Sequence, residues 1–217
     1  MKKISATIFL LITFAVAVCA QDRSAAEIAQ AKNADVPLSY GIVVDNSGSY
    51  RTVLDKIVEI TKEIAGENGE DDEAFLVRFV SSGKINLLQE FTADSDELLE
   101  AADEMFIEGG QTAILDAVMF SAKYLSENAR GEPARRKALV LITDGEERQS
   151  VTKIEEVLKF LKENQIRVYV LGFSSEKVST KILDRLTKET GGRTFVPKTR
   201  AALAETVREL KAAVRAQ

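Results

Sequence analysis

Two apolar runs without a polar interruption frame the chain, Gly41-Ile42-Val43-Val44 and Ala138-Leu139-Val140-Leu141-Ile142. Runs that are apolar at consecutive positions predict strands covered on both faces, as in a parallel sheet held between two layers of helices. Each run ends near a carboxylate, Asp45 in the first and, beyond Thr143, Asp144 in the second. Ala74 to Val80 predicts a third strand. Ser81-Ser82-Gly83-Lys84 has the turn chemistry to send Ile85 to Phe91 back beside it, the one antiparallel connection expected. Ile166 to Leu171 and a short segment from Arg193 to Val196 complete the strands.

Between strands the apolar spacing changes to three and four residues, the period of a helix face. Val53, Ile57, Ile60 and Ile64 form one such stripe, and Leu98, Ala102, Met105 and Phe106 a second. Leu115, Val118, Ala122 and Leu125 predict a third helix, and Ile154, Val157, Leu158 and Leu161 a fourth. Ile182, Leu183 and Leu186 mark a fifth, and Leu203, Val207, Leu210 and Val214 a terminal one. Strands alternating with helices in this rhythm predict an α/β fold. It is a doubly wound, mostly parallel six-stranded sheet with one antiparallel edge strand and helices on both faces.

The start of the chain reads differently. Met1-Lys2-Lys3, an apolar segment from Ile8 to Val18 and the junction Val18-Cys19-Ala20 predict a signal peptide over residues 1–20, cut after Ala20, and hence a periplasmic or secreted protein. The segment is short for a membrane span, and no other stretch reaches that length. Cys19 also admits a reading as a lipid-modified cysteine, although Val18 is bulkier than the residue such processing prefers. With the cut after Ala20 no cysteine remains, so stability rests on the core and not on disulfides. Residues 21–36 are a polar, Ala-rich leader, and 37–217 suffice for one domain. The formal charge of -5 becomes more negative once Lys2 and Lys3 leave, which argues against nucleic acid or an anionic membrane as the main partner.

Candidate chemistry gathers where the strands end. Asp45, Ser47 and Ser49 alternate along the turn from a strand into a helix, at the sheet edge where open α/β folds hold ligands. One carboxylate and two hydroxyls suit a hard cation such as Mg2+, with Mn2+ or Ca2+ as the other candidates. By themselves the three also read as a turn and a helix cap. Thr112, behind Gly109-Gly110-Gln111, and Asp144 add oxygen donors on loops of the same edge, and the five together favour a metal site. Catalysis finds less support. The chain has no His, and its one Cys lies in the segment expected to be removed, which excludes the Ser-His and Cys-His nucleophile systems. No Gly-x-x-x-x-Gly-Lys-Ser/Thr phosphate loop occurs. A haloacid-dehalogenase arrangement needs a second acid where Ser47 stands. Metal-assisted hydrolysis has a cation but no evident general base.

In order and interval, Asp45-x-Ser47-x-Ser49, Thr112 in Gly-Gly-Gln-Thr-Ala-Ile-Leu-Asp and Asp144 in Ile-Thr-Asp-Gly resemble the von Willebrand factor type A family. The resemblance runs from about Pro37 to the carboxyl terminus, and is especially to bacterial secreted proteins that carry this domain alone. It implies a metal-ion-dependent adhesion site. Ser47 and Ser49 would bind the ion directly, Asp45 and Asp144 directly or through water, and Thr112 would join or leave as the site changes state. A carboxylate from a partner protein would take the last position. Two acids against a divalent cation leave little net charge to repel it. The implied function is an exported, non-enzymatic adhesion or protein-binding module. The alternatives are an assembly component whose metal only stiffens loops, and a metal-dependent hydrolase. Tyr50 stands where many members have Met and is expected to alter the rim, not the metal shell. Asp116 is expected as a helix-dipole partner, and Glu146, Glu147 and Arg148 as a solvated loop. The terminal helix is expected to pack on the sheet, and its movement on binding is carried over only as a hypothesis.

Overall fold

Strand β1 (Leu38–Asp45) is buried at every position and lies near the middle of the sheet. β2 (Glu73–Phe79) and β4 (Arg136–Thr143) pair with it in parallel on either side. β3 (Ile85–Thr92) closes one edge antiparallel to β2, while β5 (Ile166–Gly172) and β6 (Thr194–Phe195) extend the other in parallel, giving the order β3-β2-β1-β4-β5-β6. This is the doubly wound, mostly parallel six-stranded sheet with one antiparallel edge strand that the periodicity predicts. The computed structural model describes residues 36–217 apart from 67, 133, 175 and 176. The expected signal peptide, Cys19 and residues 21–35 of the leader lie outside the described residues.

Alternation along the strands divides the core in two. Ile42 and Val44 join α1 (Leu54–Ala65), α2 (Ser95–Asp103) and α6 (Leu203–Arg215) on one face. Val43 points to the other, with α3 (Ile114–Asn128), α4 (Ile154–Glu163) and α5 (Lys181–Thr190). The stripe residues Ile57, Leu98, Val118, Leu161, Leu186 and Leu210 are all withdrawn from water. Each contributes about 1.5–3 kcal/mol through that burial, and each of the six helices among the described residues turns one apolar face to the sheet.

Three details depart from the sequence-based expectation. The chain does not run from β1 straight into α1 but makes a 3-10 turn over Gly48–Tyr50 first. α2 ends at Asp103, so Met105 and Phe106 lie beyond it. Met105 still packs in the core, whereas Phe106 is 53 % exposed, because the segment after α2 is held by other contacts than the helix period. β6 is confined to Thr194–Phe195. The terminal helix packs on the sheet as expected, with Leu203, Val207, Leu210 and Val214 buried.

At the amino edge of the sheet, Asp72 accepts a hydrogen bond from the Leu38 amide (2.8 Å) and pairs with Arg215. Glu73 accepts one from the Ser39 hydroxyl (2.6 Å). The opposite edge is left for the site. From β1 the chain winds outward to β2 and β3 on one side and, later, through β4 to β6 on the other, so a crevice opens where the carboxyl ends of β1 and β4 diverge. Among the described residues no helix is long and apolar enough to cross a membrane.

Candidate metal centre

Strand register brings the two acids to this crevice. Val44 stands opposite Ile142, so the next residues, Asp45 and Thr143, end their strands side by side. The Thr143 hydroxyl donates to Asp45 Oδ2 (2.8 Å) and accepts from the Gly145 amide (3.1 Å). Asp45 Oδ1 accepts from the Ser47 amide (2.9 Å), which curls the chain into the 3-10 turn. The Ser47 and Ser49 hydroxyls are 3.0 Å apart. Ser47 is buried and Ser49 exposed, so the pair leads from the floor of the crevice to its mouth.

Asp144 is 4 % exposed, with Oδ1 accepting from the Glu146 amide (3.0 Å) and its carbonyl from the Ser179 amide (2.8 Å). The turn needs glycine at position 145. Gly145 has φ +80°, and a Cβ there would lie 1.9 Å from the Ser179 carbonyl oxygen. Thr112, also 4 % exposed, is fixed through its backbone between two neighbours. Its carbonyl accepts from the amides of Arg148 (2.9 Å) and Gln149 (3.1 Å), in the loop after β4, and the following Ala113 amide donates to Val80 at the end of β2 (3.0 Å). The Asn46 amide donates to Phe79 (2.8 Å) at that same strand end. The five residues singled out in the sequence therefore all sit at the carboxyl ends of β1, β2 and β4.

The electrostatics of Asp45 are unusual. Its side chain is fully buried, and burial raises its carboxyl from 3.8 to about 7. The Ser47 hydroxyl and amide and the Thr143 hydroxyl pull it down, while the Asp144 charge adds to the rise. Among the described residues no Lys or Arg pairs with it. A buried carboxylate facing a second one, with neutral hydroxyls around them and no basic side chain, fits a divalent cation, because the ion supplies the positive charge that the protein does not. The donor set is all oxygen, which suits Mg2+, Mn2+ or Ca2+ better than softer ions.

Other residues behave differently from the sequence reading. Tyr50 is no rim group: it is 1 % exposed and donates its hydroxyl to the Phe173 carbonyl (2.7 Å), bracing the turn against the loop after β5. Burial and the charges of Asp45 and Asp144 push its phenol well above 10.0. Glu147 is half-buried and bonded to the protein instead of lying free in a solvated loop. Its Oε2 accepts from the Leu115 amide at the start of α3 (3.1 Å) and from the Ser150 hydroxyl (2.8 Å), so it serves as a remote cap. Asp116 lies in the first turn of α3, as expected, and is also a clamp: it accepts from the Val151 (2.9 Å) and Thr152 (2.8 Å) amides and so ties the loop after β4 to α3. Glu146 and Arg148 are exposed, as expected of a solvated loop, and pair with each other on the surface. Asn46 Nδ2 donates to the Phe106 carbonyl, and the Arg78 guanidinium lies 4.1 Å from the Phe106 ring, which explains why that segment leaves the helix. Sequence reasoning missed Thr143; the only signal was a hydroxyl immediately before Asp144.

Comparison with known proteins agrees with this architecture. Residues 41–209 match the model of the von Willebrand factor type A domain. Among curated proteins, none matches the chain. Solved structures share the fold. A von Willebrand factor type A protein from Catenulispora acidiphila superposes with TM-score 0.68 at 22 % identity, covering 83 % of this chain and 43 % of that one. An aerotolerance-related membrane protein from Bacteroides fragilis, carrying multiple mutations to serine, gives 0.66 at 17 % identity, with 83 % and 100 % covered. A conserved hypothetical protein, BatB, from Bacteroides thetaiotaomicron gives 0.62 at 16 % identity, with 80 % and 98 % covered. With the model matched over most of its length and the sheet order, crevice and Asp-x-Ser-x-Ser turn in place, the chain belongs to the von Willebrand factor type A family.

Proposed function

We propose that this protein is an exported, metal-dependent protein-binding module. Domains of this family mediate protein-protein interactions, are generally non-enzymatic and often bind a divalent metal. In this chain Asp45, Ser47, Ser49, Thr112 and Asp144 would hold the cation, with Mg2+ first and Mn2+ or Ca2+ as substitutes. When bound, the ion supplies a positive centre that accepts a carboxylate offered by a partner protein. The protein's own part is to hold the acids and hydroxyls in place. Thr143 and the Ser47 amide fix Asp45, the Glu146 amide fixes Asp144, and the backbone bonds of Thr112 fix the third loop.

The observation that carries this reading is Asp45, a fully buried carboxyl among hydroxyls with no basic partner among the described residues. A carboxylate placed only to cap a turn gains nothing from such burial and bears the part of its desolvation cost that the hydrogen bonds from Ser47 and Thr143 do not offset.

The test is Asp45→Ala in the full chain, followed by thermal melting with excess Mg2+ and with chelator. The wild type is expected to melt higher with Mg2+, and the variant at one temperature in both. A Mg2+ shift that survives the substitution overturns the reading. Capture of a partner that persists in chelator would instead favour the assembly role. Ester or phosphate hydrolysis lost with Asp45 would favour the hydrolase.

A further inference from the structure

Beside the crevice, the carboxyl edge of the sheet carries two adjoining hollows that the metal site does not use. The first, of about 390 Å3, lies against the turn after Ser49 and is lined by Arg51, Lys56 and Arg200. The second, of about 480 Å3, lies between the loops after β5 and β6 and is lined by Lys177, Lys198 and Arg200. Phe173 and Arg200 line both, so the hollows adjoin, and together they make up the groove considered below. Two of its lining residues stand close in the chain to residues of the crevice. Arg51 is two residues beyond Ser49, and Lys177 is two residues before Ser179, whose amide holds the Asp144 carbonyl.

The charge of this groove opposes that of the molecule. The chain as a whole is acidic, with a net charge of -5, yet Asp55 is the only acid among the groove's described lining residues. Lys56 is paired with Glu59 (2.6 Å). Arg51, Lys177, Lys198 and Arg200 are exposed, and none forms an ion pair among the described residues. Four cations that repel one another along one furrow lower the stability of the free protein slightly and favour an anionic occupant. Exposed aromatic rings on which bases could stack are absent from its described lining, since Phe173 is 5 % exposed, and a nucleic acid strand gains less here than a peptide.

We propose that the groove binds an acidic peptide segment of the partner, so that Asp or Glu residues flanking the metal-bound carboxylate lie along Arg51, Arg200, Lys198 and Lys177. This rests on the cation reading above and adds to it the partner's composition: a cluster of acids instead of a single one. Screened surface charges act mainly through association rate and specificity, so the preference should weaken as salt rises.

The experiment measures fluorescence anisotropy of the full chain with two labelled peptides of equal length, hexaglutamate and one carrying a single Glu among serines, and with a short oligothymidylate. Each is titrated with Mg2+ and with chelator, against wild type, Asp45→Ala and the double variant Lys198→Glu/Arg200→Glu. Both reversed positions are exposed, so the fold should tolerate them, and an unchanged Mg2+ melting shift checks this. The wild type is expected to bind hexaglutamate roughly tenfold more tightly than the single-Glu peptide, with the double variant losing that advantage and keeping the weaker single-Glu binding. Equal affinity for the two peptides, or an advantage that survives the double variant, overturns the groove while leaving the cation reading intact. Hexaglutamate binding that ignores chelator and Asp45→Ala but is lost in the double variant upholds the groove and overturns the cation reading. Tighter binding of the oligothymidylate than of hexaglutamate overturns the choice of a peptide.

Discussion

Asp45 is buried because strand β1 is buried, and it is charged only against the resistance of that burial. With its carboxyl at about 7 in the fold against 3.8 in the open chain, the folded protein holds the proton more tightly. That stabilisation is fully present below 3.8 and is lost as the pH rises through about 7. Denaturant melts of chelated protein across this range should therefore show stability falling with pH on account of this group, and Asp45→Asn should flatten that limb. An identical limb in the variant would contradict the assignment. With a cation present the dependence turns round, since the ion displaces the proton and binds more tightly as the pH rises. Gly145 acts at the same scale. Its φ of +80° and the Ser179 oxygen 1.9 Å from any Cβ leave no room for a side chain. Gly145→Ala should destabilise the protein by about 2 kcal/mol or more in urea melts, with a reduced Mg2+ shift because Asp144 moves with the turn. A loss below about 0.5 kcal/mol would mean that the turn adapts freely.

At the scale of elements, the loop after β4 is less free than its polar sequence suggests. Asp116 and Glu147 bind it to the first turn of α3, and its Arg148 and Gln149 amides donate to the Thr112 carbonyl. Burial raises the Asp116 carboxyl, but hydrogen bonds from Ser82, Thr152 and Val151 outweigh it and hold the group below 3.8. Its stabilisation is present above 3.8 and is lost as the pH falls through the depressed value. Asp116→Ala should quicken hydrogen exchange at the Val151 and Thr152 amides roughly tenfold while the β4 amides keep their protection. Equal rates would show that the loop is held by its other contacts. These ties were not legible in the sequence, because Asp116 looks like any acid in a first helical turn and Glu147 like any acid in a polar loop. The strands were legible for the opposite reason: burial on both faces leaves an uninterrupted apolar run, as in Ala138 to Ile142. α2 shows where periodicity misleads. Met105 and Phe106 continue its apolar spacing, yet Asn46 and Arg78 hold Phe106 outside the helix through contacts between residues far apart in the chain.

For the molecule as a whole, the doubly wound order decides where chemistry can happen. β1 and β4 are neighbours in the sheet but far apart in sequence, so their carboxyl ends bring Asp45 and Asp144 to one crevice, with Thr143 bridging to Asp45 from the adjacent strand. The motif order is what singled out Asp45, Ser47, Ser49, Thr112 and Asp144 as candidates. Thr143 stayed hidden because its role depends on which strand lies beside which, and no spacing along the chain encodes that.

The most direct measurement is anomalous diffraction from a crystal grown with Mn2+, an ion that takes the same oxygen ligands as Mg2+. A single peak within bonding reach of Ser47 and Ser49 and between Asp45, Thr112 and Asp144, absent in Asp45→Ala crystals, is the predicted result. A crevice without a peak at saturating Mn2+, or a peak held by other residues, would contradict the account.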